Sequence, residues 1–256
     1  MDLLPAGHGR STLTGDTAEM LRARRRFLER GWFAPLARAL DECRAALRRA
    51  LAEHGAPEDR AGLVVLEAGC GEGHFIGGLA AGAQDGECYF GLDVSRDALR
   101  MAARRHRGVL FFRNDVHHRI CLRDGCVHLL LDIFAPRNPR EFRRVLRPSG
   151  LLVVVIPAAA HLAELRAALP MIGMEPEKLR RTIERFRGPF ELEGHDVVEF
   201  GAALEGDDVL DLVSMTPSAW HMDERARAQA SALGPLEVTF ALDVLRFRPV
   251  PGPGES

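Results

Sequence analysis

The sequence predicts an α/β protein: a doubly wound, mostly parallel seven-stranded sheet with helices on both faces, preceded by an N-terminal helical segment. Three observations carry this. Short runs of β-branched and aliphatic residues alternate along the chain with stretches of helical apolar spacing. The run Val64-Val65-Leu66-Glu67-Ala68 passes into glycines at alternate positions, Gly69, Gly71 and Gly73, and then into His74–Ala80, which is spaced as a helix. Strand, glycine turn, helix is the order in which an open α/β sheet meets a nucleotide-like ligand. Finally, two later apolar runs, Cys88–Asp93 and Val109–Asp115, end in an acid as the first one does.

Taken in order, residues 1–13 form a flexible N-terminus. Residues 14–56 form a helical lid with two helices, roughly 17–30 and 34–54, parted near Gly31-Trp32-Phe33-Ala34-Pro35. Asp16 or Thr17 is the expected cap of the first. From Met20 to Ala50 there are nine arginines and three acids. That Arg-rich face is expected to be wet, and it suits either plain solvation or phosphate contact. His54-Gly55-Ala56-Pro57 leads into the sheet domain, residues 57–248. Ser95 caps a helix over Asp97–His106. Cys126–Asp132 is the fourth strand. Arg140–Leu146 is a short helix closed by Arg147-Pro148-Ser149-Gly150. Leu151–Ile156 is the fifth strand, with its helix over Ala158–Leu169. An amphipathic helix over Pro176–Phe186 precedes two strands, Pro189–Leu204 and Leu236–Arg248, read as an antiparallel edge pair. Between them lies a helix over Asp223–Leu233. The proline- and glycine-rich tail, 249–256, is expected to be disordered. With right-handed crossovers the result is a Rossmann-like sheet.

Composition narrows the class. With 256 residues, 46% apolar and 27% charged, the chain reads as a globular protein. No apolar run approaches a membrane span and no signal-peptide pattern opens the chain, so neither membrane nor secretion is expected. Five scattered cysteines fit a reducing cytoplasm. The net charge of −2 is no RNA-binding footprint taken whole, and nearly every basic residue is arginine, Lys178 being the single lysine.

The chemistry sits at the strand ends. The glycines give G-x-G-x-G and not the dinucleotide spacing, whose third glycine would fall at His74, and no Walker lysine follows. Glu67 is unsuited to a pyrophosphate but suits a positively charged amine, such as that in the methionine part of S-adenosylmethionine. Asp93 can accept the two ribose hydroxyls of a nucleoside, and Asp115 would sit beside the adenine edge. Cys70 in the turn, and Val94, Val116 and Ile133 next to strand-end acids, are grouped with these as cofactor-binding. The plainer alternatives are a ligand-free glycine turn and aspartates that cap or turn the backbone. His117, His118, Cys121, Cys126 and His128 carry metal-ligand atoms, but Cys126 and His128 share one strand face and the spacings match no zinc pattern, so no metal is expected.

Jointly the glycine turn and the three acids resemble the class I S-adenosylmethionine-dependent methyltransferases. Gly15-Asp16-Thr17-Ala18-Glu19-Met20, Arg22-Ala23-Arg24-Arg25 and Gly31–Leu36 are similar to the segment preceding the catalytic domain of the 23S rRNA guanine-N1 methyltransferases, including the tylosin-resistance type. Phe134-Ala135-Pro136-Arg137-Asn138-Pro139, followed by Arg143–Gly150, resembles that family's substrate-side loop. His161–Leu165 and Met215–His221 also look like family segments. The resemblance implies S-adenosylmethionine as cofactor and a guanine N1 as methyl acceptor, so the partner is a 23S rRNA hairpin. It also implies Phe134, Pro136, Arg24 and Arg25 on the substrate side. The four-cysteine zinc module with which the family begins has no counterpart, since the first cysteine is Cys43. Re-use of the catalytic domain on a small planar molecule therefore stands as the alternative. Asp132 is the candidate catalytic group, to accept the N1 proton or orient the base, unless it only caps a turn. Trp32 and Trp220 would stack on a planar substrate or pack in the core. A homodimer is compatible with this reading.

Overall fold

A computed structural model describes residues 17–59, 62–169, 173, 175, 177–216 and 224–251. Two helices open it, α1 (Ala18–Glu29) and α2 (Ala34–His54). Thr17 caps α1 by accepting from the Met20 N–H at 3.1 Å. Then follow β1 (Val64–Ala68), α3 (His74–Ala81), β2 (Cys88–Asp93), α4 (Arg96–Arg105), β3 (Val109–Arg113), β4 (Val127–Ile133), α5 (Pro139–Val145) and β5 (Leu146–Pro157). The chain continues through α6 (Ala163–Ala168), α7 (Lys178–Phe186), β6 (Phe190–Leu204), α8 (Asp207–Ser214), α9 (Glu224–Ser231) and β7 (Leu236–Pro249).

The seven strands form one sheet in the order β3-β2-β1-β4-β5-β7-β6. The first five run parallel, and β7 enters antiparallel between β5 and β6. The order reverses between β1 and β4, so the ends of these two strands open the crevice where such sheets bind ligands. All seven residues of β4 are buried, and Leu151–Ile156 of β5 are buried as well. A continuous apolar run of this kind fits a strand covered on both faces. Side chains alternate between the two faces. Val65, Leu129, Leu131, Val153 and Val155 pack with α1 and α2 residues such as Phe27, Leu36 and Leu40. Leu66, Leu130, Leu152 and Val154 pack with Phe142 of α5 and Phe186 of α7 on the other side.

Several expectations need correction. The fifth strand begins at Leu146, not Leu151: Leu146 pairs with Val127 across an irregularity, so the proline–glycine segment lies within the strand. Its helix is shorter than expected, Ala163–Ala168, because His161 and Leu162 turn first and Leu162 adopts a left-handed conformation. The last two strands do form the expected antiparallel edge pair, with β6 outermost, and a second helix besides α9 lies between them in sequence. Helix α8 has no counterpart among the expected elements. Its eight residues hold together by docking on α1, where Arg26 Nε donates to Asp211 at 2.9 Å and Arg30 pairs with Asp208 at 3.1 Å. The arginine-rich helices are not uniformly wet either. Arg44 is buried and donates to the Tyr89 hydroxyl, the Gly82 carbonyl and Glu87, which ties α2 to the sheet. A buried cation of this sort requires such pairing. Of the tail, Pro249 belongs to β7 and residues 252–256 lie outside the described ones. Among the described residues no helix is long and apolar enough to cross a membrane.

Candidate active site

The turn after β1 is built by backbone hydrogen bonds to the neighbouring strand. The N–H groups of Gly69 and Cys70 both donate to the Leu92 carbonyl, each at 2.9 Å. The Gly71 N–H donates to Asp93 Oδ2 at 2.9 Å, and the Ser95 N–H donates to Asp93 Oδ1 at 2.8 Å. Asp93 therefore braces the turn with the carboxylate assigned to the ribose. Glu67 accepts from the Ile76 N–H at 2.9 Å, which puts its carboxylate at the N-terminal turn of α3, where helix dipoles favour negative charge.

The three glycines are not equivalent, although all have positive φ. A methyl added at Gly69 would come within 2.5 Å of Ala135 Cβ, and one at Gly73 within 2.8 Å of the Phe111 ring. At Gly71 the nearest atom would be Arg24 Nη1 at 3.5 Å. Of the three, only a methyl at Gly71 would meet no more than ordinary contact, with the tip of the flexible Arg24 side chain. At Gly69 and Gly73 a side chain would also meet other elements packed against the turn, so packing as well as backbone conformation favours glycine there.

Beside Gly71 opens a cavity of about 690 Å³. Gly69, Cys70, Glu67 and Glu72 line one wall. Apolar side chains, among them Phe33, Phe75, Ile133, Phe134 and Leu28, line the floor, and Leu212 and Met215 of the α8 region close it. Arg24, Arg137, Arg166 and Lys178 face it from α1, the β4–α5 loop, α6 and α7, with Glu175 among them. Phe134 holds a left-handed backbone with φ of 54°, uncommon for an aromatic residue, and is 44% exposed. Strain of this kind, about 1–3 kcal/mol, clusters at functional sites. Its ring meets Phe33 edge-on at 6.3 Å.

Acidic and basic side chains both line the cavity. Burial pushes the Glu67 carboxyl up to about 8, and the nearby carboxylates of Asp93, Glu72 and Asp132 push the same way. Glu67 is thus largely protonated in the free protein, and a cationic ligand beside it would draw it into its charged form, so the residues present fit the amine and sulfonium of S-adenosylmethionine. Burial, and then the charges of Arg166 and Lys178, lower His161 to about 4; burial, and then Arg105, do the same for His74. Both cavity histidines are thus neutral near pH 7.

The predicted site residues divide as follows. Glu67, Gly69, Cys70, Gly71 and Ile133 share the cavity with Phe134 and Arg24. Asp93, Val94, Asp115 and Val116 do not line it; they lie at the tips of β2 and β3, where Asp115 accepts from the His117 N–H at 2.9 Å and Asn138 donates to the Val116 carbonyl at 2.8 Å. Asp132 is fully buried beneath the wall, and its Oδ1 accepts from Arg137 Nε at 3.1 Å. Burial pushes its carboxyl up to about 8 against the pull of Arg137. It does not touch the cavity, so it is no direct acceptor of a substrate proton in this geometry. Pro136 is exposed beside Ala135, outside the lining. Arg25 points away, paired with Glu29 at 2.9 Å. Trp32 is partly buried against the core with a buried indole nitrogen, and it does not line the cavity. Trp220 lies outside the described residues. His128 accepts from the Val64 N–H at 3.0 Å, and among the described residues no group of three or more His, Cys, Asp or Glu is placed to hold a metal. Arg137, His161, Lys178 and Met215 are site residues that sequence reasoning misses. Three of them lie in segments with a family resemblance, but no local pattern brings β4, α6, α7 and α8 to one cavity.

The strand order with its inserted antiparallel strand, and the glycine turn at the switch point, define a class I methyltransferase. Residues 65–150 match a methyltransferase domain family. The overall fold resembles that of the YcgJ protein from Bacillus subtilis, with a TM-score of 0.50 and 15% identity over 75% of this chain and 94% of that one. It likewise resembles a structure solved for the conversion of a disulfide bond into a thioacetal group during echinomycin biosynthesis, with a TM-score of 0.50 and 18% identity over 79% of this chain and 80% of that one. Along its length the chain is 38% identical to the 23S rRNA (guanine(748)-N(1))-methyltransferase of Streptomyces fradiae, covering 93% of this chain and 82% of that protein. It is 39% identical to a Micromonospora griseorubida protein that carries the provisional name 23S rRNA (guanine-N(1)-)-methyltransferase, covering 94% and 83%. The chain belongs to the 23S rRNA guanine-N1 methyltransferase family and uses S-adenosylmethionine.

Proposed function

We propose that the protein methylates N1 of a guanine in 23S rRNA. The observation that carries this reading is similarity over more than nine-tenths of the chain, α1 and α2 included, to proteins named for that reaction. When bound, S-adenosylmethionine supplies an electrophilic methyl on a positively charged sulfur. Gly71 gives the cofactor room, Glu67 and Glu72 compensate its positive charge, and Asp93 holds the turn while meeting the ribose. The apolar floor with Phe33 and Phe134 accommodates a planar base and excludes water, so positioning does most of the work. Exposed Arg22 and Arg25 on α1 meet flanking phosphates.

The test is primer extension on ribosomal RNA from a host lacking its own enzyme, treated with purified protein and cofactor. N1 methylation blocks Watson–Crick pairing and gives a new stop. Protein that binds S-adenosylhomocysteine yet produces no stop would move the methyl acceptor to a small planar molecule.

A further inference from the structure

Arg137 stands in the cavity wall, three residues past the strained Phe134, and is gripped from behind. Its Nε donates to Asp132 Oδ1 at 3.1 Å, and its carbonyl accepts from Arg185 Nη2 at 2.9 Å. Asp132 is fully buried, and its Oδ2 has no hydrogen-bond partner among the described residues. The carboxyl beneath the wall is therefore given over to one guanidinium. The Arg137 side chain is 15% exposed, lines the cavity, and makes no other side-chain hydrogen bond among the described residues. Its cationic neighbour is Lys178, whose amine is pushed down by burial and then by the charge of Arg137. Glu175 lies in the same lining near Lys178, so the oriented donors of this corner toward an acceptor on the substrate are those of Arg137.

We propose that this acceptor is O6 of the guanine, that Arg137 is a catalytic residue, and that Asp132 is a positioning residue that fixes it. The inference rests on the guanine-N1 reading above. As the N1–H bond breaks and the proton passes to water, the charge left behind spreads onto O6. A preorganised guanidinium stabilises that charge more than the neutral ground state. The N1 lone pair then forms the new N–C bond while the carbon–sulfur bond breaks, its electron pair going to sulfur. No protein base at N1 is required, which agrees with the burial of Asp132 away from the cavity.

The experiment follows single-turnover methylation of ribosomal RNA by primer extension from pH 6 to 9, at saturating cofactor and RNA. Three variants are compared with the wild type: Arg137→Gln, Arg137→Lys and Asp132→Asn. An unchanged melting shift with S-adenosylhomocysteine shows that each is folded and cofactor-competent. Arg137→Gln should lower the rate constant at pH 7 by about 100-fold, the scale of removing one oxyanion donor. Its rate should then climb about tenfold per pH unit toward the ionisation of N1 itself. Arg137→Lys should recover part of the loss. Asp132→Asn, which keeps an acceptor for Arg137 Nε but not the carboxylate that holds it, should lose less than Arg137→Gln and steepen the pH profile in the same direction. A rate lost only below saturating RNA, with an unchanged pH profile, in Arg137→Gln would assign Arg137 to a phosphate and overturn the proposal. Loss of activity at every pH in Asp132→Asn would make Asp132 the base and overturn it as well. Wild-type protein that gives no N1 stop sinks the guanine reading and this inference together, whereas a wild-type stop with an indifferent Arg137→Gln sinks only the inference.

Discussion

Two sets of residues around the cavity carry mostly opposite charge and come from different parts of the fold. The glycine-turn wall holds Glu67 and Glu72, with Asp93 and Asp132 close behind, and comes from consecutive strand ends of the parallel sheet. The basic set, Arg24, Arg137, Arg166 and Lys178, is contributed by one loop and three helices far apart in sequence, and it meets the acidic set where Arg137 donates to Asp132 and Arg24 approaches Gly71. A cationic cofactor suits the acidic set and a polyanionic substrate the basic one. The net charge of −2 therefore says little about RNA binding; what matters is where each sign sits.

The sharpest way to break this comparison is at Gly71. Gly71→Val puts a branched side chain at the cavity lining and onto a backbone with φ of 54°. It should abolish the melting shift given by S-adenosylhomocysteine, which arises only from ligand binding to the folded chain. Gly73→Ala should instead lower the melting temperature of the free protein, since its methyl meets the Phe111 ring. If both variants lost only binding, the distinction between the glycines would be wrong.

Next in size is Asp93→Ala. It should weaken cofactor binding by about 1.5–3 kcal/mol, the scale of hydrogen bonds to a charged group, and raise KM more than it lowers kcat. Because Asp93 also accepts from the N–H groups of Gly71 and Ser95, the free protein should melt lower too. Calorimetry showing normal cofactor affinity would contradict the assignment.

The buried acids and the histidines around the site titrate in opposite senses. Glu67 and Asp132 hold their protons up to about 8 when folded, against ordinary values of 4.5 and 3.8. Between those limits the folded chain binds protons that the unfolded chain has released, so their contribution to stability falls as pH rises. His74 and His161 are held at about 4, below the ordinary 6.5, so the unfolded chain binds the extra protons and stability rises with pH over that window. From pH 6.5 to 8 the carboxyls act alone, at up to about 1.4 kcal/mol per pH unit for each. The melting temperature of the free protein should fall across that interval, and Asp132→Asn should lessen the slope. A flat profile in both proteins would rule out the buried-acid description.

The smallest effects belong to the rim. Arg26 docks α1 onto α8 through Asp211, whereas Arg22 stays exposed and Arg25 faces solvent in its pair with Glu29. Arg22→Gln with Arg25→Gln should flatten the salt dependence of RNA binding by about 0.7–0.9 in log–log slope for each phosphate no longer neutralised. Stability should hardly change, since exposed pairs contribute about 0–1 kcal/mol. Filter binding across a salt series reads the slope; salt dependence equal to wild type would remove α1 from the RNA interface.

By itself the sequence determined the strands, the glycine turn, the strand-end acids and both leading helices. Each of these is written in a window of a few residues by apolar period, turn chemistry or capping, as Val64–Gly73 and the Thr17 cap show. Only the tertiary structure decided which of these residues face the ligand. Gly69 and Gly73 resemble Gly71 until Ala135 and Phe111 arrive from elsewhere in the chain. Asp132 looks like Asp93 as a strand-end acid, yet it is sealed under Arg137 while Asp93 braces the turn. Helix α8 is a short segment with little local signal, fixed by partners remote in sequence, such as Arg26, which lies 185 positions from Asp211. Burial and pairing between remote segments set the charge state and reach of a side chain, and no local pattern encodes them.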